Sequence, residues 1–434
     1  MPSRLKAALS RLLPRASFAR SVSILVGGSA TAQIITIGAM PIVTRLYSPA
    51  EIGVISLFVA FFGFWASTLS LRYEHALLIA ENDKESHDVH RLAIILVVVM
   101  SVIGLPILWG LKHSNTLEFG LLPDWAPMLA AIIFICHGTF MVNRSWALRA
   151  GLIKSITKAS VAKSAANATT RVGLGLFGGG VVGLFLAELA GACTSMTRLT
   201  IATRRHFSHS RPDGFGIDRL KKIAKKYKKY PLIETPSTWL DSLTLTLPVP
   251  MMASLYGATA AGLFGLSRMV VAVPNSQIGT AVADVFQMEL SKAVVERNGT
   301  QARTLFYSIM KKMALFGLIP LIGVLLFANW LMPFIFGQKW ADAGQMAMIV
   351  APWFYAALVV SPLSRSLSVL QAQEFKLIYD GFVLIALIAV FYVAKSSGLG
   401  LMWFLSLISV VNIIGYFIYA ALLMHVVNRR IAFG

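Results

Sequence analysis

The chain contains twelve apolar runs that are each long enough to cross a lipid bilayer. A transmembrane helix needs about 20 mainly apolar residues, and 56% of the 434 residues are hydrophobic. Charged residues make up only 13%, about half of their usual share in soluble proteins. The sequence therefore predicts an all-α polytopic membrane protein, and it excludes a soluble enzyme, a disordered chain and a disulfide scaffold. The predicted spans are 21–44, 53–71, 92–111, 125–142, 159–178, 181–202, 232–254, 262–285, 306–328, 343–362, 377–394 and 401–424.

The distribution of basic residues supports this count of spans. If the N-terminus lies in the cytoplasm, 33 of the 39 Lys and Arg residues fall in cytoplasmic segments. Only four fall on the outer side, namely Arg45, Lys112, Lys339 and Lys395. This asymmetry is the one that the positive-inside rule describes, so both termini are predicted to be cytoplasmic. The net charge of +20 is then explained by membrane orientation, and no nucleic-acid partner is expected.

An internal repeat divides the spans into two sets of six. Five identities share an offset of 209 residues, and an even number of helices per copy gives both copies the same orientation. We therefore predict two parallel six-helix lobes, at 21–202 and 232–434. Residues 1–20 are predicted to form a basic, amphipathic cytoplasmic tail, and 203–231 a basic cytoplasmic linker. The identities are Pro41 with Pro250, Leu46 with Leu255, Tyr47 with Tyr256, Gly53 with Gly262, and Leu57 with Leu266.

The linker contains one amphipathic segment. Leu220, Ile223, Ala224 and Tyr227 recur at helical spacing among lysines. This pattern predicts a short helix that lies on the inner leaflet and tethers the two lobes.

The remaining sequence offers no catalytic motif. It contains no phosphate-binding loop, zinc-protease motif or nucleophile elbow, and the outer loops, at 45–52, 112–124, 255–261, 329–342 and 395–400, are short. Cys136 and Cys193 are the only cysteines, which excludes a disulfide framework or a thiolate metal site. We therefore expect neither an enzyme, nor a cofactor, nor a metal. A proton or sodium gradient is the available source of energy.

Ionisable groups at membrane depth are costly and usually line a cavity. In span five, Lys163, Asn167 and Arg171 follow one another at four-residue steps, so they share one face of the helix and form a cationic stripe. In span eight, Arg268 is followed two turns later by Asn275. We expect Arg171, Arg268 and Lys163 to bind an anionic substrate group.

Further polar residues are candidates for the cavity wall or for ion coupling. Gln33, Arg149 and Arg365 are expected to line the cavity with Asn167 and Asn275. The carboxylates of Asp241, Glu188 and Asp284 are the ion-coupling candidates, with Asp241 preferred because its span opens the second lobe. For each residue, the alternative is an interhelical hydrogen bond or ion pair that only fixes packing.

Several segments resemble one transporter family. VTRLYSPAEIGVISLFVAF, followed by LSLRYEHALLIA, resembles the opening of the Wzx-type polysaccharide flippases of the multidrug/oligosaccharidyl-lipid/polysaccharide exporter superfamily. LPVPMMASLYGATAAGLFGLSRMVVAVPNSQIGTAVADVF is similar to the same family's seventh and eighth helices, and FGQKWADAG to its loop before helix ten. The resemblance spans the whole chain, although its motifs are diffuse.

The resemblance implies a function and a location. The cargo would be an undecaprenyl-diphosphate-linked oligosaccharide repeat unit for O-antigen or exopolysaccharide assembly. It would be moved across the bacterial inner membrane by alternating access. Membrane lipids are expected partners, and a polysaccharide polymerase and chain-length proteins are further candidates. Three alternatives stay open, namely an ion-coupled multidrug exporter, a lipid II flippase and a purely structural partner of a polymerase.

Overall fold

The protein is an all-α membrane protein. A computed structural model describes residues 15–207, 216–370, 372 and 374–431, and leaves out the side chains of 15–23, 25–26, 273–277 and 281. Within these ranges every regular element is helical. The helices of ten or more residues are α1 (Arg15–Leu46), α2 (Pro49–Ala66), α3 (Asp83–His113), α4 (Ala126–Arg149), α5 (Ile153–Leu176), α6 (Gly180–Phe207), α7 (Ile217–Lys226), α8 (Thr235–Thr246), α9 (Pro248–Val295), α10 (Gly299–Phe336), α11 (Ala341–Val360), α12 (Glu374–Ser397) and α13 (Leu401–Arg430).

Each of the twelve predicted spans lies on one or two of these helices. Nine stretches of the described residues are long and apolar enough to cross a membrane. Helix α10 shows why the chain needs an apolar solvent, since Ile319, Leu326 and Phe334 are each about two-thirds exposed. A surface of this kind is stable in lipid and unstable in water. The chain is therefore a multi-pass membrane protein. Of the predicted tail, residues 1–14 lie outside the described residues.

Two local features set the ends of the helices. Ser48 caps α2, because its hydroxyl accepts from the Glu51 amide while the Glu51 carboxylate accepts from the Ser48 amide. This reciprocal arrangement satisfies two backbone donors that a helix start leaves unpaired. In α9, Gly257 has a φ of 82°, a conformation that glycine adopts readily and other residues rarely do. The predicted loop at 255–261 is therefore largely helical, and its turn is made at this glycine.

The contacts divide the described chain into two compact units. The first comprises residues within 1–40, 68–108 and 124–236, and the second 41–67, 109–123 and 237–434. The division into lobes at 21–202 and 232–434 stays a prediction from the repeat.

The first unit is built around α4, α5 and α6. Phe140, Ala147, Ile156 and Leu199 form a buried apolar cluster where these helices meet. Burial of such side chains is the main favourable term in a packed bundle. The cluster fixes α5 against α6, and these two helices bear the predicted cationic stripe and Glu188.

The linker helix α7 packs against its own unit. Ile223 and Tyr227 are buried, and the Tyr73 hydroxyl donates to the Ala224 carbonyl at 3.0 Å. The side chains of Ile223 and Tyr227 are therefore covered by protein, and the expectation that this helix lies on the inner leaflet stays a prediction.

An ion pair completes the attachment of α7. The Lys226 ammonium lies 2.5 Å from a Glu85 carboxylate oxygen and 2.9 Å from one of Glu81. The hydrogen bonds that the Lys226 ammonium donates to these two carboxylates raise the pKa of Lys226 above its ordinary value. The first turn of α3 and the segment before it thus hold α7 through polar contacts.

In the second unit, α2 and α9 cross at two glycines that the repeat aligns with each other. A Cβ on Gly53 would lie 1.8 Å from the Ala258 carbonyl oxygen, and one on Gly262 would lie 1.9 Å from the Pro49 carbonyl oxygen. Since no side chain fits at either position, the two backbones are in direct contact. The pairing of equivalent glycines in two repeat copies gives this crossing an approximate local symmetry.

Candidate functional site

The predicted cationic stripe of span five lies on α5 and faces α6. A guanidinium nitrogen of Arg171 donates to a Glu188 carboxylate oxygen at 2.5 Å, and the Asn167 amide donates to the Ala187 carbonyl at 3.3 Å. Lys163 interacts electrostatically with the same Glu188. The helices approach closely here, since a Cβ on Gly191 would lie 3.2 Å from the Lys163 carbonyl oxygen.

This arrangement brings a predicted phosphate ligand and a predicted coupling residue together. Arg171 and Glu188 form one ion pair, with side chains only 18% and 21% exposed. Such pairs often fix helix packing, which is the alternative that the sequence left open. Lys163, Arg171 and Glu188 together still carry a formal excess of one positive charge. The face of α5 therefore remains attractive to an anion.

Helix α1 lies beside the cationic stripe in the first unit. The Thr36 hydroxyl lies 3.3 Å from the Ser164 hydroxyl, which joins α1 to α5 next to the cationic stripe. Gln33 lies one turn before Thr36 on α1 and is half-buried. The structure thus places this predicted cavity residue on a helix that contacts α5.

Arg268 in the second unit has a different environment. It lies on α9 within a candidate span and is half-buried. Among the described residues it makes no hydrogen bond or ion pair. The adjacent Ser267 hydroxyl lies 2.8 Å from the Leu263 carbonyl and 2.7 Å from the Ala343 carbonyl, which fixes this turn of α9 against α11. The predicted partner residue Asn275 lies outside the described side chains.

Asp241 belongs to a charged triad between α8 and α12. The Lys376 ammonium donates to Asp241 at 2.9 Å and to Asp380 at 2.7 Å. The Asp380 side chain is 3% exposed, whereas that of Asp241 is 48% exposed. One ammonium thus serves two carboxylates, which leaves a formal excess of one negative charge.

Sequence reasoning missed two members of this triad. In the sequence, Lys376 is one of the positive charges of a predicted cytoplasmic segment, and Asp380 lies within the predicted span at 377–394. The available signal was their i, i+4 spacing, which places a cation and an anion on one face at the start of that span.

Two other predicted residues, Arg149 and Arg365, lie at helix ends. Arg149 donates to the carbonyls of Leu77 and Ala80 at 3.2 and 2.7 Å, so it secures the segment before α3. Arg365 lies 3.9 Å from Asp284, with side chains 47% and 67% exposed, and this pair is accordingly weak.

Comparison with known proteins places the chain in a family. A family model described as polysaccharide biosynthesis protein matches residues 42–345. The chain belongs to this polysaccharide biosynthesis protein family. No curated protein matches it significantly.

Solved transporters share the fold. An inward-facing multidrug resistance MATE family transporter of the MOP superfamily is 16% identical, with a TM-score of 0.74, and the match covers 92% of this chain and 95% of that one. An outward-facing MATE structure is 17% identical with a TM-score of 0.61, covering 94% and 95%. A MOP superfamily transporter from Pyrococcus furiosus, described as having a binding pocket of reversed polarity, is 18% identical with a TM-score of 0.56, covering 94% and 95%.

Proposed function

We propose that the chain is a flippase for polyprenyl-diphosphate-linked oligosaccharides. The cargo would be an undecaprenyl-diphosphate repeat unit, moved from the cytoplasmic to the periplasmic leaflet of the inner membrane by alternating access. Membership of a polysaccharide biosynthesis family supports the sugar part of the cargo. The MATE-like fold supports transport. Cations within the spans support a diphosphate headgroup.

Arg268 is the observation that carries this proposal. A guanidinium within a span is costly unless an anion accompanies it, and Arg268 has no counter-ion among the described residues. Arginine presents a planar fork that matches phosphate oxygens in a bidentate manner. A diphosphate that arrives with the cargo would supply this counter-ion.

The α5 cations of the first unit are further candidates for contact with the headgroup. Arg171 already has Glu188 as its partner, so its share in binding is expected to be smaller than that of Arg268. Lys163 adds a point charge on a flexible side chain. Such a charge attracts a phosphate group but does not hold that group in one orientation.

The predicted coupling carboxylates argue against the main alternative function, which is export of drugs. An exporter of cationic drugs needs an anionic site that is open to its cargo. Glu188, Asp241 and Asp284 each lie within 4 Å of an Arg or Lys nitrogen, so their charges are already balanced wholly or in part. Arg268, in contrast, has no counter-ion among the described residues, and it therefore favours an anionic cargo.

The first test is binding of undecaprenyl diphosphate to the purified protein. Loss of a charge-assisted hydrogen bond removes roughly 1.5–3 kcal/mol, so Arg268→Gln should weaken affinity by about ten-fold or more. Arg268→Lys keeps the charge without the fork, and it should fall between Arg268→Gln and the unchanged protein. Arg297→Gln, at an exposed position just after the end of the same helix, is the control and should bind normally. Equal affinity of the Arg268→Gln and Arg297→Gln proteins would contradict the diphosphate assignment.

The second measurement is export. In cells lacking the native protein, Arg268→Gln should reach the membrane but leave lipid-linked repeat units on the cytoplasmic side. A chain that exports drugs would instead change only drug tolerance when deleted. A lipid II flippase would stall peptidoglycan precursors rather than polysaccharide.

A further inference from the structure

The linker helix α7 presents a continuous basic surface. Lys221, Lys222 and Lys225 lie on the side of the helix opposite Ile223, and Lys228 and Lys229 follow directly after it. All five side chains are exposed, and they form no hydrogen bond or ion pair with any residue in the described part of the chain. We call these five lysines the basic face.

The attachment of α7 explains why this face points outward. Ile223 and Tyr227 are buried, and Lys226 is held by Glu81 and Glu85. The residues that would normally insert an amphipathic helix into a leaflet are therefore used within the protein. Because α7 is fixed from behind, its lysines are oriented before any partner arrives.

The position of the basic face places it close to the bilayer. Only three residues separate Lys226 from Tyr230, where the next candidate span begins. Leu232 and Ile233, which follow at once, are 68% and 62% exposed, as is expected of side chains that contact acyl tails. Lysines immediately beside exposed apolar residues are typical of the boundary between headgroups and hydrocarbon.

We propose that the basic face binds the anionic phospholipid headgroups of the adjacent leaflet. Its five ammonium groups match a surface of phosphate charges, and each lysine near an anionic leaflet gains attraction that falls off within a Debye length. The binding is electrostatic, without insertion of the helix. This binding anchors the segment between α7 and α8. The apolar side of α7 remains covered by the protein itself.

Spin-labelled lipids test this proposal in reconstituted bilayers. The protein is placed in phosphatidylcholine membranes, and the association of labelled phosphatidylglycerol is measured relative to labelled phosphatidylcholine. In a variant with Lys221, Lys222, Lys225 and Lys229 all changed to Gln, the preference for phosphatidylglycerol should fall about three-fold, because the local attraction to the leaflet is lost. Added salt should reduce the preference of the unchanged protein in the same direction.

The control variant removes four lysine charges from other segments that are also predicted to be cytoplasmic. Lys154, Lys158, Lys311 and Lys312 are also exposed, and their joint change to Gln should leave most of the preference intact. A milder Lys222→Gln/Lys225→Gln variant should give an intermediate loss, and it serves if the fourfold variant is poorly folded. Equal losses in the two fourfold variants, or no preference in the unchanged protein, would overturn the proposal.

Discussion

Arg171 and Glu188 can serve either packing or transport, and a pair of substitutions separates the two roles. Their side chains are mostly buried and their charged atoms lie 2.5 Å apart. Removal of one member leaves the other as an uncompensated charge, whereas removal of both leaves neither, and only the charge of Lys163 remains. Stability and transport should therefore respond differently to the single and double variants.

We expect Glu188→Gln to lower the stability of the protein by about 3 kcal/mol, seen as a lower melting temperature in detergent. The double variant Arg171→Gln/Glu188→Gln should recover most of this loss. The exposed pair of Arg430 and Glu374, at 2.9 Å, is the control, and Glu374→Gln should cost less than about 1 kcal/mol. If the stable double variant also exports polysaccharide normally, Arg171 serves packing alone.

At the scale of elements, the crossing of α2 and α9 depends on two glycines. A Cβ at Gly262 would overlap the Pro49 carbonyl oxygen, and a backbone atom cannot move aside as a flexible side chain can. Gly262→Ala should therefore separate the helices and lower stability by about 1–3 kcal/mol, as overpacking does. Gly323→Ala on α10 is the matched control, because its Cβ meets nothing within 4 Å. It should be neutral or slightly stabilising. Equal melting temperatures for the two variants would show that the crossing is loose.

The helices were predictable from sequence because lipid leaves the backbone few alternatives. Inside a bilayer every amide must be paired, so each long apolar run forms a helix. The environment of α7 was not predictable, since helical spacing identifies its apolar face but not what covers that face. The turn at Gly257 was missed for a related reason. A single glycine in an apolar run is no stronger a turn signal than the many glycines that membrane helices tolerate.

Only part of the candidate site could be predicted from the sequence. Arg171, Arg268 and Asp241 stand out because charges within apolar runs are rare. The partners of Arg171 and Asp241 come from other helices, at separations of 17 residues for Glu188 and 135 for Lys376. Pairing over such distances depends on the packing of the bundle, which composition and periodicity do not determine.

For the molecule as a whole, net transport in one direction requires a source of energy. The sequence contains no nucleotide site, so we propose that a proton or sodium gradient drives flipping. The triad of Asp241, Lys376 and Asp380 suits this task because its two carboxylates share one ammonium. The remaining negative charge favours uptake of one cation, which would make the group neutral within the membrane. Asp241 is the more accessible carboxylate and is therefore the expected entry point.

Asp241→Asn should uncouple transport from the gradient, because the triad would then be a neutral pair of Lys376 and Asp380 without the excess negative charge that attracts a cation. In proteoliposomes holding lipid-linked oligosaccharide, gradient-driven flipping should be lost while binding of undecaprenyl diphosphate persists. Asp284→Asn is the matched control, since its carboxylate is 67% exposed, and it should retain gradient-driven flipping. Proton and sodium gradients imposed separately identify the coupling ion. If either gradient still drives the Asp241→Asn protein at the normal rate, the triad serves to hold α8 against α12, and coupling resides elsewhere.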